Sequence, residues 1–269
     1  MTEPLVSLIS INRNNANGLR KTLASTAEQT FRDFEHIVID GGSTDESLTT
    51  IREFEKGIKF WCSERDAGIY SAMNKGAARA NGDFLLFLNS GDHLVDADSL
   101  GFAAARLGEH DLCYFDIEIR DTAARNVTHS RVVRYPDVLQ LSHFLTSSLP
   151  HPACFIRRSL FERLGKYDES LKICADWKAF ILWVCKHGCT YHHVPQLLSV
   201  FYADGLSSRA ESRDIIEAER KQVLGAEFAA FSQDALDALQ AREALIQVAA
   251  LRRSRVVRLL QASGLLWKF

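Results

Sequence analysis

Residues 84–95 read FLLFLNSGDHLV: five apolar side chains, Phe84 to Leu88, followed at once by Asn89, Ser90, Gly91 and Asp92. A run apolar on both sides fits a strand covered on both faces, as in the middle of a parallel sheet. Asn, Ser, Gly and Asp are turn formers, so this strand ends in a tight turn that carries a carboxylate. Such a turn is either an ordinary exit to the surface or a place where Asp92 holds a metal ion. The neighbouring segments decide between the two.

Working outward, apolar strand patterns alternate with helical ones through the first half of the chain, which predicts a parallel sheet covered by helices. Leu5 to Ile11 is a buried strand and Leu19 to Gln29 a helix; His36 to Ile39 is the next strand, closed by Asp40. The turn Gly41, Gly42, Ser43, Thr44, Asp45 then caps a helix beginning near Glu46. Ile69, Ala72, Met73, Gly76, Ala77 and Ala80 fall on one helical face, and Asn81-Gly82 stops that helix. Past Asp92 the pattern predicts a helix at 98–107, strands at 112–119, 128–133 and 153–156, a short helix at 159–164 and a buried helix at 177–185. From about Arg209 the chain is charged and helical, an appendage to the sheet. The expected division is a catalytic domain over residues 1–208 and a helical C-terminal extension over 209–269.

At 269 residues the chain can bury a substantial core. Lys+Arg 32 against Asp+Glu 34 gives a net charge of -2, which offers no basis for a nucleic-acid partner. The amino terminus has no signal-peptide pattern and no apolar run is long enough to cross a bilayer. The six cysteines contain no Cys-x-x-Cys pair and read as reduced thiols, so a cytoplasmic location is expected. Cys185, His187, Cys189, His192 and His193 cluster in sequence, but the cysteine spacing matches no common zinc pattern.

Ligands of open parallel sheets bind beyond the carboxyl ends of the strands. Asp40 and Asp92 each follow a strand directly, and Glu64 and Asp66 follow the apolar stretch Ile58 to Cys62. Three acidic loops at one edge would repel an anionic ligand unless a cation intervened. Divalent Mg2+ or Mn2+, hard ions that share oxygen ligands with phosphates, would meet that need. The sequence has neither a GxxxxGK[ST] loop nor a GxGxxG fingerprint, which argues against a Walker-type ATPase and a dinucleotide dehydrogenase.

Three ordered segments carry a family resemblance: FEHIVIDGGSTDES, SERDAGIYSAMNKGAARANGDFLLFLNSGD and HPACFIRRSLFERLGKYDESLKICADWKAFILW. From Leu5 to about Tyr202 the chain resembles the family 2 glycosyltransferases, most closely the branch that builds bacterial surface polysaccharides. The resemblance implies the GT-A fold, a mostly parallel α/β sheet sandwiched by helices, and transfer of a sugar from a UDP- or GDP-sugar to a saccharide hydroxyl, lipid-linked in that branch. It also implies site residues. The loop around Ser10 to Asn14, with Arg13 in it, Asp40 and Asn89 would hold the nucleotide, with Asp40 accepting a hydrogen bond from the base and Asp66 at the nucleoside side near Arg13. Asn89 to Asp92 stands where the family has its DxD motif, with Asp92 as metal ligand to Mn2+ or Mg2+. Asp176 matches the acid of the family's ED motif, the base that deprotonates the acceptor, and transfer would invert the anomeric carbon. His151 would face the acceptor, and YADGLSS, residues 202–208, resembles the segment that folds over the donor.

Two departures stand out. Asn89 and Gly91 accompany a single carboxylate, Asp92, and Ala175 replaces the first acid of the ED pair. A nucleotide-binding or membrane-associated scaffold without activity is therefore the alternative. Asp176 also suits the cap of the helix that begins at Trp177. The tail LRRSRVVRLLQASGLLWKF, residues 251–269, is basic and amphipathic; it is expected to lie on an anionic membrane surface or to pack on protein.

Overall fold

The computed structural model describes residues 3–123, 126–203, 205 and 209–231, with scattered single positions from 233 to 251. The expected donor-covering segment and the basic tail fall largely or wholly outside the described residues.

A sheet of nine strands among the described residues runs through the molecule. Its first half is parallel, in the order β3 (Phe60–Ser63), β2 (Phe34–Asp40), β1 (Val6–Asn12), β4 (Phe84–Phe87). Every residue of β4 is buried, as its double-sided apolar pattern requires. Helices α1 (Ala16–Ala27), α2 (Ser47–Phe54) and α3 (Ile69–Ala77) connect these strands. α3 lies against β1 and β2, and the chain after it passes close to β1 at Gly82. A Cβ on Gly82 would meet the Ser7 backbone nitrogen at 2.6 Å, so only glycine allows that approach.

The second half is mixed rather than parallel. β8 (Cys154–Arg157) runs antiparallel to both β4 and β6 (Leu112–Ala123), β9 (Tyr191–Tyr202) is parallel to β6, and β5 (His93–Leu94) and β7 (Asn126–Val133) are antiparallel edges. β9 escapes sequence reading because Pro195 interrupts it. The register against β6 jumps from Val194 to Leu197, and this bulge absorbs the missing donor.

Helices α4 (Ser99–Ala104), α5 (Leu141–Thr146), α6 (Arg158–Leu164) and α7 (Ala175–Ile181) complete the fold, with a π-helical turn at Leu182–Lys186. Outside the sheet, α8 (Arg213–Glu227) and the residue just after it insert Val223, Leu224 and Phe228 into the largest core cluster, beside Trp177, Phe180 and Trp183. His193 lies between the carboxylates of Asp116 and Asp137, at 3.0 and 2.7 Å. All six cysteines are free thiols. No helix among the described residues is long and apolar enough to cross a membrane.

Candidate active site

The parallel register carries Asn12 of β1 opposite Asp40 of β2, and Asp40 opposite Ser63 of β3, so three strands end side by side. Asp40 is fully buried. Its Oδ1 accepts from Asn12 Nδ2 at 2.8 Å and Ser43 Oγ at 2.6 Å; its Oδ2 accepts from the Ser43 backbone N–H at 2.9 Å and Ser63 Oγ at 2.6 Å. Burial pushes the carboxyl pKa up, but the hydrogen bonds from Ser43, Ser63 and Asn12 outweigh it and hold it below its ordinary value. With four donors on its two oxygens, Asp40 ties together β1, β2, β3 and the 41–43 turn at the edge where these strands end.

Ser10 is fully buried near the end of β1; its hydroxyl donates to Leu88 O at 2.6 Å and lies 2.9 Å from His36 Nε2.

The open polar atoms lie elsewhere at the same edge. Asn12 Oδ1, Asp66 Oδ2, Asn89 Oδ1 and His93 Nδ1 are buried with no hydrogen-bond partner among the described residues. Buried polar groups are rarely left unpaired without a ligand or functional reason. Asp66 and Arg13 are neighbours, since both approach the Cβ position of Gly41 to 3.4 Å. Lys75 of α3 fixes the other side of Asp66 through an ion pair to Oδ1, and it also reaches Glu64 at 2.7 Å. These carboxylates raise the Lys75 pKa above its ordinary value.

At the end of β4, the Ser90 backbone N–H donates to Ile11 O at 3.1 Å, holding the 89–92 turn beside β1. Gly91 adopts φ +113°, a conformation that favours glycine. Thr22 of α1 supports the turn, accepting from Gly91 N–H at 3.1 Å and lying 2.7 Å from Asp92 O as donor. Asp92 is 7% exposed and Asn89 half-buried. Among the described residues no group of three His, Cys, Asp or Glu side chains converges as a metal site.

Asp176, half-buried in the first turn of α7, accepts from the Tyr70 hydroxyl at 2.8 Å, and the same hydroxyl reaches Ile173 O. Burial, reinforced by the Asp176 charge, pushes the Tyr70 pKa well above its ordinary value, so the phenol keeps its proton. Asp176 makes no side-chain cap for α7 in place of this bond; the preceding Cys174 occupies the cap position. Tyr70 packs on Tyr167 with ring centroids 5.6 Å apart, and Tyr167 packs on Phe87, the last residue of β4, at 5.3 Å. α3 therefore links Asp176 through Tyr70 and Asp66 through Lys75, so the acid on α7 is tied to the strand ends. His151 Nε2 lies 2.8 Å from the Tyr167 hydroxyl, and its ring stacks on Phe87 at 5.0 Å. Burial lowers the His151 pKa, with the Asp176 charge opposing it. His151 thus lies in the aromatic layer beneath Asp176.

Sequence reasoning missed Thr22, Tyr70 and Lys75 as individuals, while Asn12 falls within the loop from Ser10 to Asn14 that it assigned to the nucleotide. Tyr70 and Lys75 occur within the quoted SERDAGIYSAMNKG segment, but their partners are distant in sequence or reached only by a turn of helix.

Comparison with known proteins bears on the family and the fold. Residues 7–165 match the sequence model of glycosyl transferase family 2. A PGL/p-HBAD biosynthesis glycosyltransferase of Mycobacterium tuberculosis is 37% identical over 184 residues, 66% of this chain and 68% of the relative. An uncharacterized glycosyltransferase of the same species is 39% identical over 186 residues, with 66% and 68% covered. Among solved structures, residues 1–349 of Staphylococcus aureus TarS in complex with UDP superpose with a TM-score of 0.58 at 22% identity, covering 84% of this chain and 71% of that one. The mannosyltransferase PcManGT of Pyrobaculum calidifontis, in complex with GDP-Man and Mn2+, superposes with a TM-score of 0.59 at 18% identity, covering 98% and 80%. These two share the GT-A fold with this chain. The chain is a glycosyltransferase and belongs to glycosyl transferase family 2.

Proposed function

We propose that this chain is an inverting glycosyltransferase that moves a sugar from a UDP- or GDP-sugar to a hydroxyl of a saccharide acceptor, lipid-linked, in bacterial surface-polysaccharide synthesis. Residues 1–208 form the catalytic unit and 209–269 the helical extension. The observation that carries the reading is the convergence of unpaired buried oxygens of Asn12, Asp66 and Asn89 at one sheet edge, with Asp176 tied to the same edge through α3. The nucleoside end of the donor lies against Arg13 and Asp66, with Asp66 Oδ2 accepting from the base and Asp40 holding the loop that presents it.

Asp92 and the Asn89 amide oxygen suit a hard divalent cation, Mn2+ or Mg2+, because both offer oxygen. Two such groups are too few for a protein-only site, so a cation held there would need oxygens of the donor diphosphate as well, and it would supply charge neutralisation to that diphosphate. Asp176 takes the proton of the acceptor hydroxyl while that oxygen bonds to the anomeric carbon and the bond from that carbon to the diphosphate oxygen breaks. Attack from the face opposite the leaving group inverts the centre. The Tyr70 hydroxyl orients the carboxylate without competing for the proton. The basic segment 251–269 attaches the enzyme to the anionic inner face of the cytoplasmic membrane.

A thermal-shift series with UDP and GDP, each with and without MnCl2, tests donor and cation together. Ligand at a hundred times its dissociation constant adds about 2.7 kcal/mol to stability, a readable rise in Tm. The expected result is a rise with one nucleotide, enlarged by Mn2+, with the enlargement lost in Asp92→Ala. No rise with either nucleotide in either condition refutes the donor assignment.

A further inference from the structure

Helix α8 lies beyond the residues that match the family model, yet it holds the segment leading to Asp176. Glu219, 9% exposed, accepts three successive backbone N–H groups: Lys172 at 2.6 Å on Oε1, and Ile173 and Cys174 at 3.1 and 2.9 Å on Oε2. Hydrogen bonds to a carboxylate are short and strong, and three on consecutive residues fix the backbone at that point. The carbonyl of Ile173, in the middle of the clamp, accepts from the Tyr70 hydroxyl, which also bonds Asp176. Ile173 and Asp176 thus share the single proton of one phenol, and Glu219 holds Ile173. Val223, Leu224 and Phe228 anchor α8 in the core, so the clamp has a rigid support.

We infer that Glu219 is a positioning residue that sets the Asp176 carboxylate, so that the C-terminal helix is part of the catalytic apparatus. The inference rests on the reading of Asp176 as the base. A displacement of about 1 Å at a reacting group can cost about a hundredfold in rate, whereas donor binding at the strand ends does not depend on the 172–174 segment. Loss of the clamp therefore lowers kcat and leaves the donor KM unchanged. Glu219→Gln keeps one acceptor oxygen and places an amide N–H₂ against a backbone donor, so it retains part of the function.

The test compares the full chain with Glu219→Ala, Glu219→Gln, Val223→Ala and Asp176→Asn. UDP-glucose, UDP-N-acetylglucosamine and GDP-mannose are supplied with Mn2+ and bacterial lipid extract, nucleoside diphosphate release is followed, and amide hydrogen exchange is read at 172–174. Expected are a kcat about ten- to a hundredfold lower in Glu219→Ala at unchanged donor KM, an intermediate value in Glu219→Gln, and faster exchange at 172–174. Val223→Ala, which loosens the support of the clamp but keeps its carboxylate, lowers kcat less than Glu219→Ala does. Exchange at 172–174 unchanged in Glu219→Ala, or a kcat loss no larger than that of Val223→Ala, overturns the inference. If Asp176→Asn turns over normally, the base assignment fails; if it is inactive while Glu219→Ala is normal, only the positioning role fails.

Discussion

Lowering the pH from 7 to 5 should destabilise the protein through one buried histidine. His36, 2% exposed on β2, has its Nε2 2.9 Å from Ser10 Oγ and its Nδ1 3.1 Å from Thr26 Oγ1. The Ser10 hydroxyl donates to Leu88 O at 2.6 Å, so Nε2 carries the ring proton and donates to Ser10, while the Thr26 hydroxyl, 3.0 Å from Leu23 O, shares its proton between that carbonyl and Nδ1. That is a neutral ring, and burial lowers its pKa from 6.5 to about 3. The unfolded chain binds a proton below pH 6.5 that the folded chain refuses until about pH 3. Stability from this group is thus complete above pH 6.5 and is lost as the pH falls through that window. Integrating the proton linkage gives a loss of about 2 kcal/mol between pH 7 and pH 5. Urea unfolding at both pH values, for the parent and for His36→Leu, isolates the effect. His93, His143 and His151 also have pKa values lowered chiefly by burial, but they contribute to both proteins and cancel in the difference. The variant is less stable at pH 7, yet its loss on acidification is smaller by about 2 kcal/mol. Equal losses in the two proteins refute the assignment of a neutral buried ring.

Two substitutions test the scaffold beneath the site. Gly82→Ala puts a methyl 2.6 Å from the Ser7 backbone nitrogen and 2.7 Å from the Val6 carbonyl carbon, neither of which can yield as a side chain would; chemical denaturation should show a loss of about 2 kcal/mol or more. Asp40→Asn replaces an acceptor oxygen with an amide that faces donors from Ser43, Ser63 or Asn12, costing about 2–3 kcal/mol and weakening nucleotide binding by calorimetry. Unchanged stability in Asp40→Asn would mean that the four-donor network does not hold the strand ends.

Much of the architecture is legible where physics is local. Strands β1, β2 and β4 declare themselves because both of their faces are covered, so the apolar run persists through successive residues. The acidic turns after β2 and β4 follow, because a parallel sheet gathers its strand ends at one edge. The second half is harder to read. β9 contains Pro195 and two histidines, and its place beside β6 depends on a bulge that no local pattern encodes. α5 lies in a Ser-rich segment whose helical state is set by tertiary contacts such as the bond from Trp177 Nε1 to Phe144 O at 2.8 Å.

At the site, residue type is readable but the use of each group is not. Asp40 and Asp66 are both acids in loops after strands, yet one is saturated by four donors and the other keeps an open oxygen. That contrast arises because Ser43 in the turn after β2 and Ser63 at the end of the neighbouring β3 both donate to Asp40. The bond between Tyr70 and Asp176 spans 106 positions and the clamp from Glu219 to Cys174 spans 45, distances over which one sequence carries no pairing signal.

Turnover by Asp176→Asn is the most direct test of the proposed chemistry. The asparagine keeps an oxygen for the Tyr70 hydroxyl, so fold and nucleotide-induced thermal shift are retained, while the group able to take the acceptor proton is gone. Transfer from the active UDP- or GDP-sugar should fall by about a hundred- to ten-thousand-fold. Transfer at the parent's rate, with nucleotide binding intact, contradicts Asp176 as the base and with it the assembly of donor and acid around one sheet edge.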